Sequence, residues 1–113
     1  EAIMCSLRER GHGNKPFIVT EIGAGAIYGW HDPLEAHWSE EYQARCLTEV
    51  CEMVCSDARI AGVALWQFCD CRTYGSARAL MRPRAFNNKG TLDEYRRPKL
   101  AFERVRSIFT GSK

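Results

Sequence analysis

The 113-residue chain has the size of one small domain, and its 45% hydrophobic and 27% charged residues are typical of a globular protein rather than a disordered one. Sixteen Lys and Arg against fourteen Asp and Glu give a net charge of +2, too small to indicate nucleic acid or an anionic membrane as partner. No apolar run reaches the length of a membrane span, and the first residues lack the pattern of a signal peptide. A chain that opens with Glu1 rather than Met is expected to be a fragment or a processed product.

The first half of the chain predicts a helix, a buried strand and a longer helix. Residues 1–10 form a short helical pattern that the glycine-containing cluster at 11–14 ends, and the run 17–20 combines aromatic and β-branched residues, as strands do. Ser39 suits the N-cap of a helix that ends near Ser56, with acidic residues in its first turn. The apolar positions at helical spacing in this segment are Leu47, Val50, Cys51 and Val54.

The second half predicts a strand and a last helix. The run 60–66 is apolar throughout, which is typical of a parallel strand covered on both faces. Pro98 suits the first turn of the last helix, and Gly111 is placed to end it. The residues expected to share its buried face are Ala101, Val105, Ile108 and Phe109. The predicted order, α-β-α-β-α, indicates an α/β fold.

The links that follow the two strands are long, whereas the links that precede them are short. Residues 23–38 follow the first strand and residues 69–97 the second. Links beyond about 12–15 residues are uncommon unless they build a site, and parallel strands place such sites at their carboxyl ends. We therefore expect both loops to converge on one face and to carry the function. Two strands cannot cover their own edges, so the segment is expected to need neighbouring units.

The six cysteines raise the possibility of a disulfide framework, which their positions argue against. Cys46, Cys51 and Cys55 are spread around the predicted longer helix, so we interpret them as packing residues and reduced thiols, which predicts a cytoplasmic location. The three histidines are isolated, and Cys69-x-Cys71 lacks a matching pair, so no metal and no cofactor are expected.

Two residues at the predicted strand ends could carry chemistry. Glu21 directly follows the first strand beside Gly23 and Gly25, which would allow close approach, and a carboxylate there could act as a nucleophile. A glutamate that forms a salt bridge or caps a loop is an equally open interpretation. Trp66 ends the second strand and could form an apolar wall for a sugar ring, or could be a core residue packed on Phe68.

The second long loop also carries a basic cluster. Arg82, Arg84, Asn87 and Lys89 lie within eight positions, and an ammonium and an amide two residues apart can bind a carboxylate. The alternative is a solvated basic turn. In the first long loop, His31 and His37 could line the pocket, although loop-packing or supporting roles are favoured.

Several motifs together resemble the end of the catalytic barrel of β-glucuronidases in glycoside hydrolase family two. In chain order they are Thr20-Glu21-Ile22-Gly23, Trp38-Ser39-Glu40-Glu41-Tyr42-Gln43, Trp66-x-Phe68-x-Asp70, Asn87-x-Lys89-Gly90 and Arg97-Pro98-Lys99. The resemblance implies that residues 1–113 are the C-terminal part of a (β/α)8 TIM barrel, comprising about the last two βα units and a preceding helix. Earlier barrel strands and the N-terminal β domains of the family would lie outside this chain.

Carried over by motif, the resemblance implies a retaining β-glucuronidase. Glu21 would be the nucleophile, Asn87 and Lys89 would bind the glucuronate carboxylate, and Trp66 would shape the pocket. Either Arg82 or Arg84 could contact substrate. The family's acid/base glutamate lies in an Asn-Glu pair that this chain lacks, so the chain alone is expected to be inactive. The implied partners are a β-D-glucuronide, the rest of the barrel and, in the full enzyme, a second copy, with neither nucleic acid nor membrane.

Other activities remain open. Ile22 stands where some family members have Tyr, and the loop between Asp70 and Asn87 could differ in length from that of some members. A β-galacturonidase, a β-galactosidase, a β-mannosidase or a non-catalytic sugar-binding relative are the alternatives, of which a neutral-sugar enzyme would have no use for Lys89.

Overall fold

The computed structural model describes residues 2–75 and 77–111 of the chain. Its helices are α1 (Ala2–Glu9), α2 (Glu40–Ser56), α3 (Ala77–Leu80) and α4 (Leu100–Thr110), and its strands are β1 (Phe17–Ile22), β2 (Ile60–Leu65), β3 (Cys71–Arg72) and β4 (Phe86–Asn87). The mixed α/β class is confirmed and the five predicted elements are present, but β3, α3 and β4 lie between β2 and α4 and were not predicted. Glu1 of the first predicted helix lies outside the described residues. Among the described residues, no helix is both long and apolar enough to cross a membrane.

Strands β1 and β2 pair in parallel, with α2 as the crossover between them. Phe17 lies opposite Ile60, and Ile22 lies opposite Leu65. Strand β1 is therefore two residues longer than the predicted run 17–20, because Ile22 continues the pairing. Glu21 is therefore the second-last residue of β1 and does not follow the strand.

Helix α2 begins as the sequence predicts. The Ser39 hydroxyl oxygen accepts a hydrogen bond from the Tyr42 N–H at 3.1 Å, which satisfies one of the free donors of the first turn. Of the four predicted core positions of this helix, only Val50 is not fully buried. Of the three helix cysteines interpreted as packing residues, Cys51 is buried and Cys46 is partly buried, whereas Cys55 is exposed and the packing interpretation is wrong for it within the described residues.

The core lies between α2 and α4. Its buried members are Ala44, Leu47, Cys51, Ala101 and Val105. Cys51 and Ala101 are 0% exposed, and these small side chains let the two helices approach closely.

Helix α4 differs from its prediction at its start and in one residue of its buried face. It begins at Leu100 with Lys99 as N-cap, so Pro98 lies before the helix and not in its first turn. The Leu100 N–H donates to the buried carboxylate of Glu40 at 2.6 Å, which fixes the start of the helix. Phe109 is 52% exposed and does not belong to the buried face, whereas Gly111 ends the helix in the left-handed conformation (φ 65°) as predicted.

The sheet of β1 and β2 is only partly covered. Helix α2 packs on β2, but Ala61 and Ala64 of β2 and Ile18 of β1 are exposed. The expected cover of β2 on both faces depends on neighbouring units of a larger domain, so it stays a prediction.

Candidate active site

The carboxyl ends of β1 and β2 meet closely. The Trp66 N–H donates to the Ile22 carbonyl at 2.7 Å, and the next peptide bond, between Trp66 and Gln67, is cis. A Cβ atom at Gly23 would lie 1.8 Å from the Trp66 carbonyl oxygen, so only glycine permits this approach. Ile22, the residue after Glu21, is thus hydrogen-bonded directly to Trp66.

The two long loops converge, as the sequence predicts. The Ala26 N–H of the first loop donates to the Asn88 carbonyl of the second loop at 2.9 Å. The Gln67 N–H donates to the Lys89 carbonyl, also at 2.9 Å. The residues expected to carry the function therefore lie at one end of the sheet, with their backbones linked to one another.

Glu21 and Trp66 are both accessible. Trp66 is 44% exposed, and Glu21 is also exposed. Within residues 2–75 and 77–111, the Glu21 carboxylate has no hydrogen-bond or ion-pair partner, so the salt-bridge and capping interpretations find no support there. Its role as nucleophile stays a prediction.

A tight turn presents the predicted carboxylate-binding residues. We call residues 87–90 the Asn87–Gly90 turn. Asn87 is 7% exposed and pairs with Cys71 in the small antiparallel sheet of β3 and β4, and Lys89 is half-buried. A Cβ atom at Gly90 would lie 2.3 Å from the Asp70 backbone nitrogen, so the turn can pass there only with glycine.

A buried ammonium lies beneath this turn. Lys99 Nζ donates to the Asp70 carboxylate at 2.8 Å, to the Ala26 carbonyl at 2.7 Å and to the Asn88 carbonyl at 3.1 Å. Neither the Lys99 nor the Asp70 side chain is exposed. Burial raises the pKa of Asp70 to about 6 and lowers the pKa of Lys99, while their mutual hydrogen bond opposes both shifts.

Gln43 of α2 adds a second buried contact. Its amide nitrogen donates to the Ala24 carbonyl and to the Gly90 carbonyl, each at 2.9 Å. Gln43, Asp70 and Lys99 belong to motifs that carry the family resemblance, but no role was predicted for them from the sequence. One local signal was available for Gln43, because it lies four residues before the core residue Leu47 on the same helix face.

The two candidate arginines both have partners within the chain. Arg82 Nη1 donates to the Thr73 hydroxyl at 2.8 Å. Arg84 Nη1 forms an ion pair with Glu94 at 3.0 Å, and its guanidinium lies 5.1 Å from the centre of the Phe86 ring. A substrate contact by either arginine stays a prediction.

The two histidines of the first loop are exposed, and both contact neighbouring side chains. His31 Nδ1 lies 2.8 Å from the Glu41 carboxylate, whose hydrogen bond raises the pKa of His31. His37 stacks on Trp38 with ring centres 4.4 Å apart. No group of three or more His, Cys, Asp or Glu side chains suited to a metal ion occurs in the described part of the chain.

Proteins similar to this chain are named beta-galacturonidase or beta-glucuronidase. No family model matches the chain. A GH2 beta-galacturonidase from Eisenbergiella tayi, solved bound to galacturonate, is 47% identical and has a TM-score of 0.88 over 97% of the chain. The chain matches a segment of family-two glycoside hydrolases.

Other proteins similar to the chain are named beta-glucuronidase. A beta-glucuronidase of Paenibacillus borealis is 33% identical over 93 residues, or 82% of the chain. A Bifidobacterium dentium beta-glucuronidase, complexed with coumarin-3-O-glucuronide, is 29% identical with a TM-score of 0.79 over 97% of the chain. The chain spans 15% of the length of the curated relative and 20% and 17% of the two structures.

Gly23 offers a test of the geometry at the ends of β1 and β2. We expect Gly23→Ala to lower thermal stability, because the added methyl group would lie 1.8 Å and 2.9 Å from the oxygen and carbon of the Trp66 carbonyl. Overpacking against backbone costs about 1–3 kcal/mol or more. Gly62→Ala is the matched control, since no described atom lies within 4 Å of its added methyl group. Equal melting temperatures for the two variants of the complete enzyme would contradict the close approach.

Proposed function

We propose that the chain is the C-terminal part of the (β/α)8 catalytic barrel of a retaining β-uronidase that hydrolyses β-D-glucuronides. The observation that carries the proposal is the hydrogen-bonded meeting of the Glu21 strand end, Trp66 and the Asn87–Gly90 turn at one end of a parallel sheet. Parallel α/β barrels place their active sites at that end. The glucuronide as substrate is supported by the curated relatives named beta-glucuronidase.

In the proposed mechanism, a Glu21 carboxylate oxygen attacks the anomeric carbon while an acid elsewhere in the barrel protonates the departing glycosidic oxygen. The resulting glycosyl ester is opened by water, whose proton passes to the same acid/base group, and the Glu21 carboxylate is regenerated. The chain contributes only one of the two carboxylates, so by itself it would be inactive. The accessible position of Glu21 at the strand end supports this role.

Substrate selection is assigned to the Asn87–Gly90 turn. The Lys89 ammonium and the Asn87 amide would bind the carboxylate at carbon six of the sugar, because an ammonium and an amide supply the donors that a desolvated carboxylate needs. The exposed Trp66 ring would stack on the sugar. Arg82 and Arg84 would contribute only after exchanging their present partners, Thr73 and Glu94.

A β-galacturonidase is the second candidate, and the 47% identity to the Eisenbergiella tayi enzyme favours it. Glucuronate and galacturonate share the carboxylate and differ in the configuration at one ring carbon. The same turn would therefore serve both substrates, and the discrimination between them would come from other contacts to the ring.

The test is hydrolysis by the complete enzyme of four aryl β-glycosides: glucuronide, galacturonide, glucoside and galactoside. Faster turnover of the glucuronide supports the first candidate, and faster turnover of the galacturonide supports the second. The first-formed sugar, followed by proton NMR, should keep the β configuration. Faster turnover of either neutral glycoside would overturn the uronide assignment, and sugar binding without hydrolysis would indicate a non-catalytic relative.

A further inference from the structure

We infer that Asp70 and Lys99 are positioning residues, which hold the Lys89 ammonium where it can bind the uronate carboxylate. This inference rests on the proposed function. Neither residue is assigned to contact the sugar. They would act on substrate selection through the backbone of the Asn87–Gly90 turn, to which both are hydrogen-bonded.

The first step of the argument is how Lys99 is used. An ammonium has three hydrogens to donate, and Lys99 has three buried acceptors on two different loops: Ala26, Asp70 and Asn88. The Ala26 carbonyl belongs to the loop after β1 and the other two belong to the loop after β2. Lys99 therefore fixes the distance between the loop that follows the Glu21 strand and the turn that carries Lys89.

The second step is that the peptide groups on both sides of Lys89 are held. On one side, the Asn88 carbonyl accepts from Lys99 at 3.1 Å and from the Ala26 N–H at 2.9 Å. On the other side, the Gly90 N–H donates to the same Asp70 oxygen that Lys99 binds, at 2.9 Å. The Lys89 carbonyl is itself held by Gln67. Only the side-chain torsions of Lys89 remain free to move its ammonium.

The third step is that stability alone does not account for the pair. Removal of two charges from water is unfavourable, and well-packed apolar residues in the same place are often as stable or more so. The second Asp70 carboxylate oxygen is buried with no hydrogen-bond partner among the described residues, which adds to the cost. Unlike apolar residues, the pair forms directional hydrogen bonds to the Asn88 carbonyl and the Gly90 N–H of the turn.

The test is a double variant, Asp70→Asn with Lys99→Met, in the complete enzyme. The asparagine keeps an acceptor for the Gly90 N–H, and the methionine keeps a long side chain without leaving a buried unpaired charge. A displacement of about 1 Å in a binding group can cost on the order of 100-fold, so we expect kcat/KM for the preferred aryl uronide to fall at least about tenfold, mainly through KM. The value for the matching neutral glycoside should change by less than about twofold, because no carboxylate needs Lys89.

Asp57→Asn is the matched control. Asp57 is a half-buried carboxylate that pairs with Arg59 just before β2, at the end of the strand opposite to the site, so any loss should be equal on both substrates. Asp70→Asn alone is the second variant; it keeps an acceptor for the Lys99 ammonium but removes its counter-charge, and we expect a loss with the same preference for the uronide. Equal losses on uronide and neutral glycoside in both Asp70 variants, or no loss in either, would overturn the inference. A wild-type enzyme without uronide preference would instead overturn the proposed function.

Discussion

Replacement of Glu21 by Gln in the complete enzyme is expected to lower the turnover of an aryl glucuronide by about a thousandfold or more. The amide has nearly the shape of the carboxylate but cannot form the glycosyl ester, so the covalent step is lost. Glu21 is exposed and makes no hydrogen bond or ion pair with the described residues, so the substitution removes no contact that stabilises the fold.

Glu52→Gln is the matched control for this variant, because Glu52 is an exposed carboxylate on α2, outside both loops that build the site. Its turnover should equal that of the wild type. For Glu21→Gln, a competitive uronate inhibitor should still bind with nearly unchanged affinity, since the carboxylate acts on the anomeric carbon and not on the uronate group. Near-normal turnover by Glu21→Gln would remove Glu21 from the mechanism, whatever the similarity to other enzymes.

Replacement of Lys89 by Ala should lower kcat/KM for an aryl uronide by about ten- to a hundredfold, with little change for the matching neutral glycoside. A hydrogen bond to a charged group contributes about 1.5–3 kcal/mol, and each 1.4 kcal/mol corresponds to about a tenfold change. A uronate carboxylate that enters a confined pocket loses water and needs a cation, whereas a hydroxymethyl group does not.

Lys15→Ala is the control for Lys89→Ala, because Lys15 is an exposed lysine that precedes β1, at the end of the strand opposite to the site. It should leave both substrates unchanged. Equal losses on both substrates in Lys89→Ala would make Lys89 a structural residue and would favour a neutral-sugar activity. The comparison of two substrates on each variant separates carboxylate recognition from general damage to the fold.

The elements of the fold were predictable wherever a local pattern decides them. Ser39 marks the start of α2 because its side chain caps the helix, and the apolar run 60–66 forms β2 with only its last residue outside the strand. The longer extent of β1 was not predictable, because Ile22 joins the strand only by pairing with Leu65, 43 residues later in the chain. The convergence of the two long loops followed from parallel pairing alone.

The buried polar contacts were beyond prediction from sequence. Lysine is among the residues least often fully buried, so composition rules place Lys99 on the surface. Its partners Asp70 and Ala26 are 29 and 73 residues away, and Gln43 is 47 residues from Gly90. Contacts of that separation leave no periodic signal in the sequence. For the same reason, the partners of Arg82 and Arg84 could not be anticipated from a cluster of basic residues.

The 73-residue separation between Lys99 and Ala26 also bears on the order of assembly. A chain emerging from the ribosome at about 5–20 residues per second presents the loop after β1 several seconds before Lys99. Until that lysine arrives and α4 docks on α2, the loop after β1 and the turn that follows β2 lack the ammonium that joins them. Helices and strands can thus form as the chain appears, whereas the geometry that recognises substrate is completed only when nearly the whole segment has been synthesised.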